Sequence, residues 1–282
     1  MRSPNLDIDA GDVTIAASCA GEGTPVVLLH GLTATRRYVV MGSRSLERSG
    51  HLVVSYDARG HGRSSPAPEP QAYGYELLAQ DLTAVLDELG LDRAVLAGAS
   101  MGAHTALALA LALSAPERVA GLVLITPSFD PDDPRAESEL ARWDALARGL
   151  REGSVDGFVA AYDLDKVPEA WRATVEAVLR QRLSAHEHPL AVADALEAVP
   201  RSQPFERIEQ LSALRMPTVV VGSRDEADPG HPLAVAQRYA AAIPGAQLVV
   251  EEAAEPARSP IAWQGGQLSR VIAELAGRSS SS

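Results

Sequence analysis

The sequence is poor in several residue types, and each shortage removes a class of answer. Cys19 is the only cysteine among 282 residues, which excludes an internal disulfide framework and a thiolate-cluster metal site. Lys166 is the only lysine, so positive charge is almost all arginine; acidic residues outnumber basic ones 37 to 25, for a net charge of −12. That balance argues against a nucleic-acid partner or an anionic membrane surface, because either selects a basic patch that displaces counterions. No apolar run reaches the roughly 18 residues of a membrane span. The N-terminal stretch MRSPNLDIDAGDVTIAAS also lacks a charged segment followed by an apolar one. A soluble cytoplasmic protein acting on a small molecule is expected, with no cofactor and no metal; oligomeric state leaves no mark on the sequence. One further shortage bears on chemistry: no histidine follows His231.

What is present is a repeated alternation. PVVLLH (25–30), HLVVSY (51–56), RAVLAG (93–98), VAGLVLI (119–125), PTVVVG (217–222) and AQLVVE (246–251) are continuous apolar runs. Such runs suit parallel strands buried on both faces. Between them, Leu77, Leu78, Leu82, Val85, Leu86 and Leu89 share one helical stripe, and Met101 to Leu113 is an alanine/leucine helix apolar nearly all round. The first should cover a sheet face and the second should be interior. A mostly parallel, doubly wound α/β sheet follows. Residues 126–216 break the alternation and read as helices over Ala136–Leu150, Val155–Tyr162, Glu169–Ser184 and Leu190–Val199. A stretch this long is no connecting loop, so it reads as an inserted helical cap. The expected division is a core of 1–127 and 216–276, a cap of 128–215 and a flexible tail of 277–282.

Strand ends carry the chemistry. After RAVLAG the chain reads Gly98-Ala99-Ser100-Met101-Gly102 and enters the alanine/leucine helix. In a strand, G-x-S-x-G, helix order, the glycines leave room for a sharp turn that presents the serine Oγ at the top of the sheet. His30-Gly31-Leu32 closes another strand, and Tyr56-Asp57-Ala58-Arg59-Gly60-His61-Gly62-Arg63-Ser64 follows a third.

Together these motifs resemble the α/β-hydrolase superfamily over residues 8–276, in its serine-nucleophile, esterase- and lactonase-like branch with a helical cap. The resemblance implies Ser100 as nucleophile and the backbone N–H groups of Leu32 and Met101 as the oxyanion hole. By family spacing the acid after PTVVVG is Asp225, with Asp228 and Glu226 as further candidates; the competing reading is solvated turn acids before a helix near Pro232. Arg224 either holds that carboxylate or lies exposed. The family's last loop places a histidine where this chain has Arg258, before Ser259-Pro260. Arginine stays protonated in proteins and cannot serve as a general base.

Seven histidines remain to be weighed. His30 and His61 belong to the loop signatures. His51, at the start of a strand expected on the far edge, should be exposed. His104 leans toward Ser100, one turn earlier, and is expected to be satisfied by a backbone carbonyl. His231 shares the acid loop and is the leading substitute base, against the bland reading of a helix-start residue. His186 and His188 lie in the cap, where one could reach down to Ser100; without a convincing third ligand they make a poor metal site. Arg258 either pairs with Asp225, or binds an anionic group of the ligand, or sits among Glu251, Glu252 and Glu255. Arg258, His188, Tyr38 and Phe129 are expected at the substrate pocket. Trp143, Phe158, Tyr162 and Trp171 are either pocket walls or cap core.

Three functions follow. The favoured one is a serine hydrolase of a small ester, lactone, thioester or amide, with Ser100, Asp225 and a relocated base at His231. The others are a non-hydrolytic enzyme of the same fold, such as a lyase, cyclase or isomerase, and a catalytically silent ligand-binding member. The intact elbow favours the first two; the missing histidine favours the last two.

Overall fold

The six continuous apolar runs all become strands, and the chain adds two more ahead of them. The computed structural model describes residues 3–112, 116–133, 136–224, 230–251 and 263–279. In chain order these form β1 (Ser3–Asp9), β2 (Thr14–Ala20), β3 (Thr24–Leu29), α1 (Ser45–Arg48), β4 (His51–Tyr56), α2 (Tyr75–Glu88), β5 (Ala94–Ala99) and α3 (Met101–Ala112). There follow β6 (Val119–Ile125), α4 (Ala136–Ala161), α5 (Glu169–Leu183), α6 (Pro189–Ala198), β7 (Thr218–Gly222), α7 (Leu233–Ala242), β8 (Gln247–Val250) and α8 (Gly265–Ser279).

The strands form one sheet in the order β1-β2-β4-β3-β5-β6-β7-β8. β1, β2 and β4 pair antiparallel, and every pairing from β4 through β3 to β8 is parallel. β3 shows why continuous apolar runs suit this position. Val27 and Leu29 point into a core covered by α2, α3 and α7, whereas Val26 and Leu28 point into the opposite core with Leu46 of α1 and Leu268, Ile272 and Leu275 of α8. With side chains alternating across two buried faces, every position must be apolar. The arrangement is the α/β-hydrolase fold that the motifs implied.

Two expectations need correction. His51 is buried, not exposed, because β4 lies inside the sheet between β2 and β3; its Nδ1 lies 3.2 Å from the Leu46 carbonyl and 3.1 Å from the Ser49 hydroxyl. The C-terminal helix α8 runs on through Ser279, past the start of the tail expected at residue 277.

Between β6 and β7 the described residues form helices and no strand. α4 is broken at Ser154, whose φ of 56° and ψ of −144° are not helical. Its halves fold back on each other at Gly149 and Gly157, where a Cβ on either would come within 2.4 Å of the other's carbonyl oxygen. Phe158 sits in this segment's own core with Leu146, Leu150, Leu183 and Leu196, and Trp143 and Tyr162 pack against it. These aromatics therefore belong to the core of the helices between β6 and β7. Among the described residues no helix is long and apolar enough to cross a membrane.

Candidate active site

Ser100 occupies the turn between β5 and α3 with φ +49°, a left-handed conformation uncommon for a residue with a side chain. The flanking glycines explain how so tight a turn fits. A Cβ at Gly98 would lie 2.2 Å from the Gly102 carbonyl, and one at Gly102 would lie 2.2 Å from the carbonyl oxygen of Leu29. The turn is fixed by the Ser100 N–H donating to Ile125 O at 2.9 Å and the His104 N–H donating to Ser100 O at 3.1 Å. Ser100 remains half-buried. Met101 opens α3, where the first amides have no acceptor within the helix.

The turn after β3 runs alongside. A Cβ at Gly31 would lie 3.4 Å from the Ser100 Cβ, so the Gly31-Leu32 peptide passes directly beside the serine. Leu32 packs its side chain against the helices between β6 and β7. Thr33, next in the chain, has φ +68°. Asp57 braces this turn by accepting the Arg36 N–H at 2.8 Å and, from the loop after β4, the Arg63 N–H at 3.2 Å. Arg59 in the same loop is buried against Asp81 of α2 through two hydrogen bonds of 2.7 and 2.8 Å.

Most histidines prove to be struts. His30 accepts the Ala58 N–H on Nε2 at 2.9 Å and donates from Nδ1 to Gly31 O at 2.8 Å. His104 accepts the Ser128 and Phe129 N–H groups on Nε2, both at 3.2 Å, and so donates from Nδ1 to the Tyr75 hydroxyl. Its partners are backbone amides, not the carbonyl expected from sequence. Burial pushes both His30 and His104 down to about 3; for His104 the nearby His231 adds to the effect. His186, between α5 and α6, accepts the Gly62 N–H on Nδ1 at 2.8 Å and donates from Nε2 to Thr33 O at 3.0 Å. It reaches the core as the sequence allowed, but it grips backbone instead of Ser100. His61 donates to Arg59 O, its ring 5.2 Å from His30 and 5.5 Å from His186. Burial lowers its pKa and that of His186.

Asp225, Glu226, Asp228 and Arg258 lie outside the described residues, as does Glu252 to Ala262 as a whole. The segments bordering them are tied together. Arg224 is exposed and bonds through its N–H to the Glu251 carboxylate and through Nε to the Glu251 carbonyl. Trp263 Nε1 donates to Gly222 O at 2.9 Å. His231 is half-buried just ahead of α7. His188 is half-buried ahead of α6, its carbonyl accepting the Ala191 and Val192 amides. Tyr38 lies under the guanidinium of Arg182, 5.8 Å away, and Phe129 packs on the core with its ring 5.2 Å from Phe205 and 6.2 Å from His104. Sequence reasoning did not single out Arg182 or Asp57. Among the described residues no group of three or more histidine, cysteine and carboxylate side chains is placed to hold a metal.

Comparison with known proteins agrees with the fold. The family described as alpha/beta hydrolase fold matches residues 24–257. A 2-hydroxy-6-oxononadienedioate/2-hydroxy-6-oxononatrienedioate hydrolase of Pseudomonas putida is 33% identical over 252 residues, covering 85% of this chain and 84% of that protein. A putative carbamate hydrolase of Pseudomonas savastanoi pv. phaseolicola is 32% identical over 228 residues, covering 80% and 84%. The solved structure of a thermophilic esterase from Thermogutta terrifontis superposes with a TM-score of 0.68 at 29% identity, covering 89% of each chain. The chain therefore belongs to the α/β-hydrolase family and is related along most of its length to hydrolases.

Proposed function

We propose that the protein is a cytoplasmic serine hydrolase of a small ester, lactone, thioester or amide, working without a cofactor. The observation that carries this reading is Ser100 at φ +49° between two glycines that admit no Cβ. A left-handed serine costs about 1 to 3 kcal/mol, and a protein that merely bound a ligand would gain nothing from it. In this reading Ser100 Oγ attacks the substrate carbonyl carbon and gives its proton to a base. The Leu32 and Met101 amides hold the developing oxyanion, each worth about 3 to 4 kcal/mol. The protonated base then hands its proton to the leaving group, and water releases the acyl group by the same steps.

The reading takes His231 as that base, oriented by Asp225, in preference to three of the other histidines. His30, His104 and His186 each have both ring nitrogens engaged. An Nε2 that already accepts two amide hydrogens cannot collect a serine proton. His231 is half-buried just ahead of α7, in the connection from β7 to α7, the kind of strand-to-helix connection in which sites of doubly wound sheets lie, and near enough to His104 to bias its protonation. Tyr38, Phe129, His188 and Arg258 are proposed to face the substrate. A second reading rests on Arg258: a guanidinium where the family places its base suits non-hydrolytic chemistry or ligand binding.

The test is labelling with a serine-directed fluorophosphonate. Rapid modification of wild type, none of Ser100→Ala, and a rate at least a thousandfold lower in His231→Ala are expected, since loss of a triad base costs on the order of 10⁶ in turnover. Unlabelled wild type would overturn the hydrolase reading. A His231→Ala protein labelled at the wild-type rate would remove His231 from it.

A further inference from the structure

The turn that carries the Leu32 amide is gripped from above by the cap. Arg182 lies at the C-terminal end of α5 and His186 just beyond it, four residues on, and both side chains reach the turn after β3. Arg182 Nη2 donates to Leu32 O at 3.3 Å and to Thr33 Oγ1 at 3.1 Å, and His186 Nε2 donates to Thr33 O at 3.0 Å. The carbonyls on both sides of Thr33 are thus held by one short stretch of the cap. Thr33 is buried and has φ +68°. For a β-branched residue that conformation is a genuine outlier, and it persists only where the surroundings over-determine it.

The grip is itself anchored. His186 Nδ1 accepts the Gly62 N–H, and Gly62 leaves no room for a side chain because a Cβ would lie 2.2 Å from the Asp57 carboxyl carbon. Asp57 in turn accepts the Arg36 N–H, three residues past Thr33. A ring of contacts therefore runs from cap to β4 loop to the β3 turn and back, with Thr33 at its centre.

We infer that Arg182 and His186 are positioning residues that hold the Leu32 amide on target through Thr33, coupling the seating of the cap to the assembly of the oxyanion hole. The inference rests on the proposed role of the Leu32 amide. Without the grip, Thr33 relaxes toward ordinary φ and the peptide before it rotates away from Ser100. Neither side chain has to touch substrate for this.

The experiment compares Arg182→Met, which keeps the stem and loses the donors, with His186→Asn and His186→Gln. Glutamine can place an amide donor near the Nε2 position, whereas asparagine cannot reach it. Two readouts are taken on full-length protein: fluorophosphonate labelling of Ser100 as a function of probe concentration, and amide hydrogen exchange. In Arg182→Met and His186→Asn, exchange over residues 31–36 should accelerate at least tenfold while α3 stays protected. The maximal labelling rate should fall ten- to a hundredfold with little change in half-saturating probe, and His186→Gln should recover most of the loss. Wild-type exchange over 31–36 in both variants overturns the inference, as does a labelling rate unchanged by faster exchange. Should Arg182→Met fail to fold, the asparagine and glutamine pair decides. Wild type that resists the probe sinks the hydrolase reading and leaves the grip to be judged by exchange alone.

Discussion

The indole Nε1–H of Trp263 donates to the carbonyl oxygen of Gly222 at 2.9 Å. Gly222 ends β7, three residues before Asp225, and Trp263 is the first described residue after Arg258. One buried hydrogen bond thus joins the end of β7 to the residue just ahead of α8. Arg224 and Glu251, just past the ends of β7 and β8, are bonded to each other at the surface.

Trp263→Phe keeps most of the ring and deletes the donor, leaving the Gly222 carbonyl to lose its partner. A buried acceptor so orphaned costs about 1 to 3 kcal/mol. Urea unfolding should report a loss in that range with an unchanged m-value. A difference within 0.3 kcal/mol would show that the carbonyl finds a replacement partner, such as water, at no cost.

The elbow makes a sharper prediction because its clash is with backbone. Gly102→Ala would push a Cβ to 2.2 Å from the Leu29 carbonyl oxygen and 2.8 Å from the Leu29 Cβ. Neither can move without displacing β3 in the middle of the sheet. The variant should lose more than about 3 kcal/mol or fail to accumulate as soluble protein. Gly277→Ala is the control: a Cβ there meets nothing within 4 Å, and helix propensity alone predicts a gain of up to about 1 kcal/mol. Similar stability for the two variants would mean that the elbow has slack the packing does not show.

How much of this was legible beforehand follows from what each feature depends on. β3 to β8 could be read because burial on both faces demands an unbroken apolar run, a local property of sequence. β1 could not: only Leu6 and Ile8 turn inward while Asp7 and Asp9 face solvent, and so short an alternation resembles a loop. Ser100 was legible because the glycine requirement is written within five residues. The grip on Thr33 was not, since Arg182 and His186 lie about 150 residues from their acceptors and backbone carbonyls leave no trace in sequence. His51 was misjudged for a related reason. The position of β4 in the sheet is set by its antiparallel pairing with β2, which the apolar pattern did not announce. Asp225 and Arg258 fall outside the described residues, so for them the sequence argument stands alone.

The buried histidines predict an acid-labile fold. The ordinary histidine pKa is about 6.5, and burial holds His30 and His104 at about 3 in the native protein, with His61 and His186 shifted the same way. Above 6.5 both native and unfolded states carry these rings neutral, and pH has no effect through them. Between 6.5 and 3 the unfolded chain binds protons that native His30 and His104 refuse, so stability falls as pH falls, by about 1.4 kcal/mol per pH unit for each of these two rings. Carboxylates titrate mainly below pH 5, which leaves a window where histidine dominates. Urea unfolding at pH 7.5 and 5.5 should therefore differ by on the order of 2 kcal/mol or more. The cause is visible in the bonds: a proton on His104 Nε2 would confront the Ser128 and Phe129 amides, and one on His186 Nδ1 would confront the Gly62 amide. A flat profile across that window would mean that these nitrogens accept protons without leaving the fold, and that the amides opposite them are held by something other than the rings.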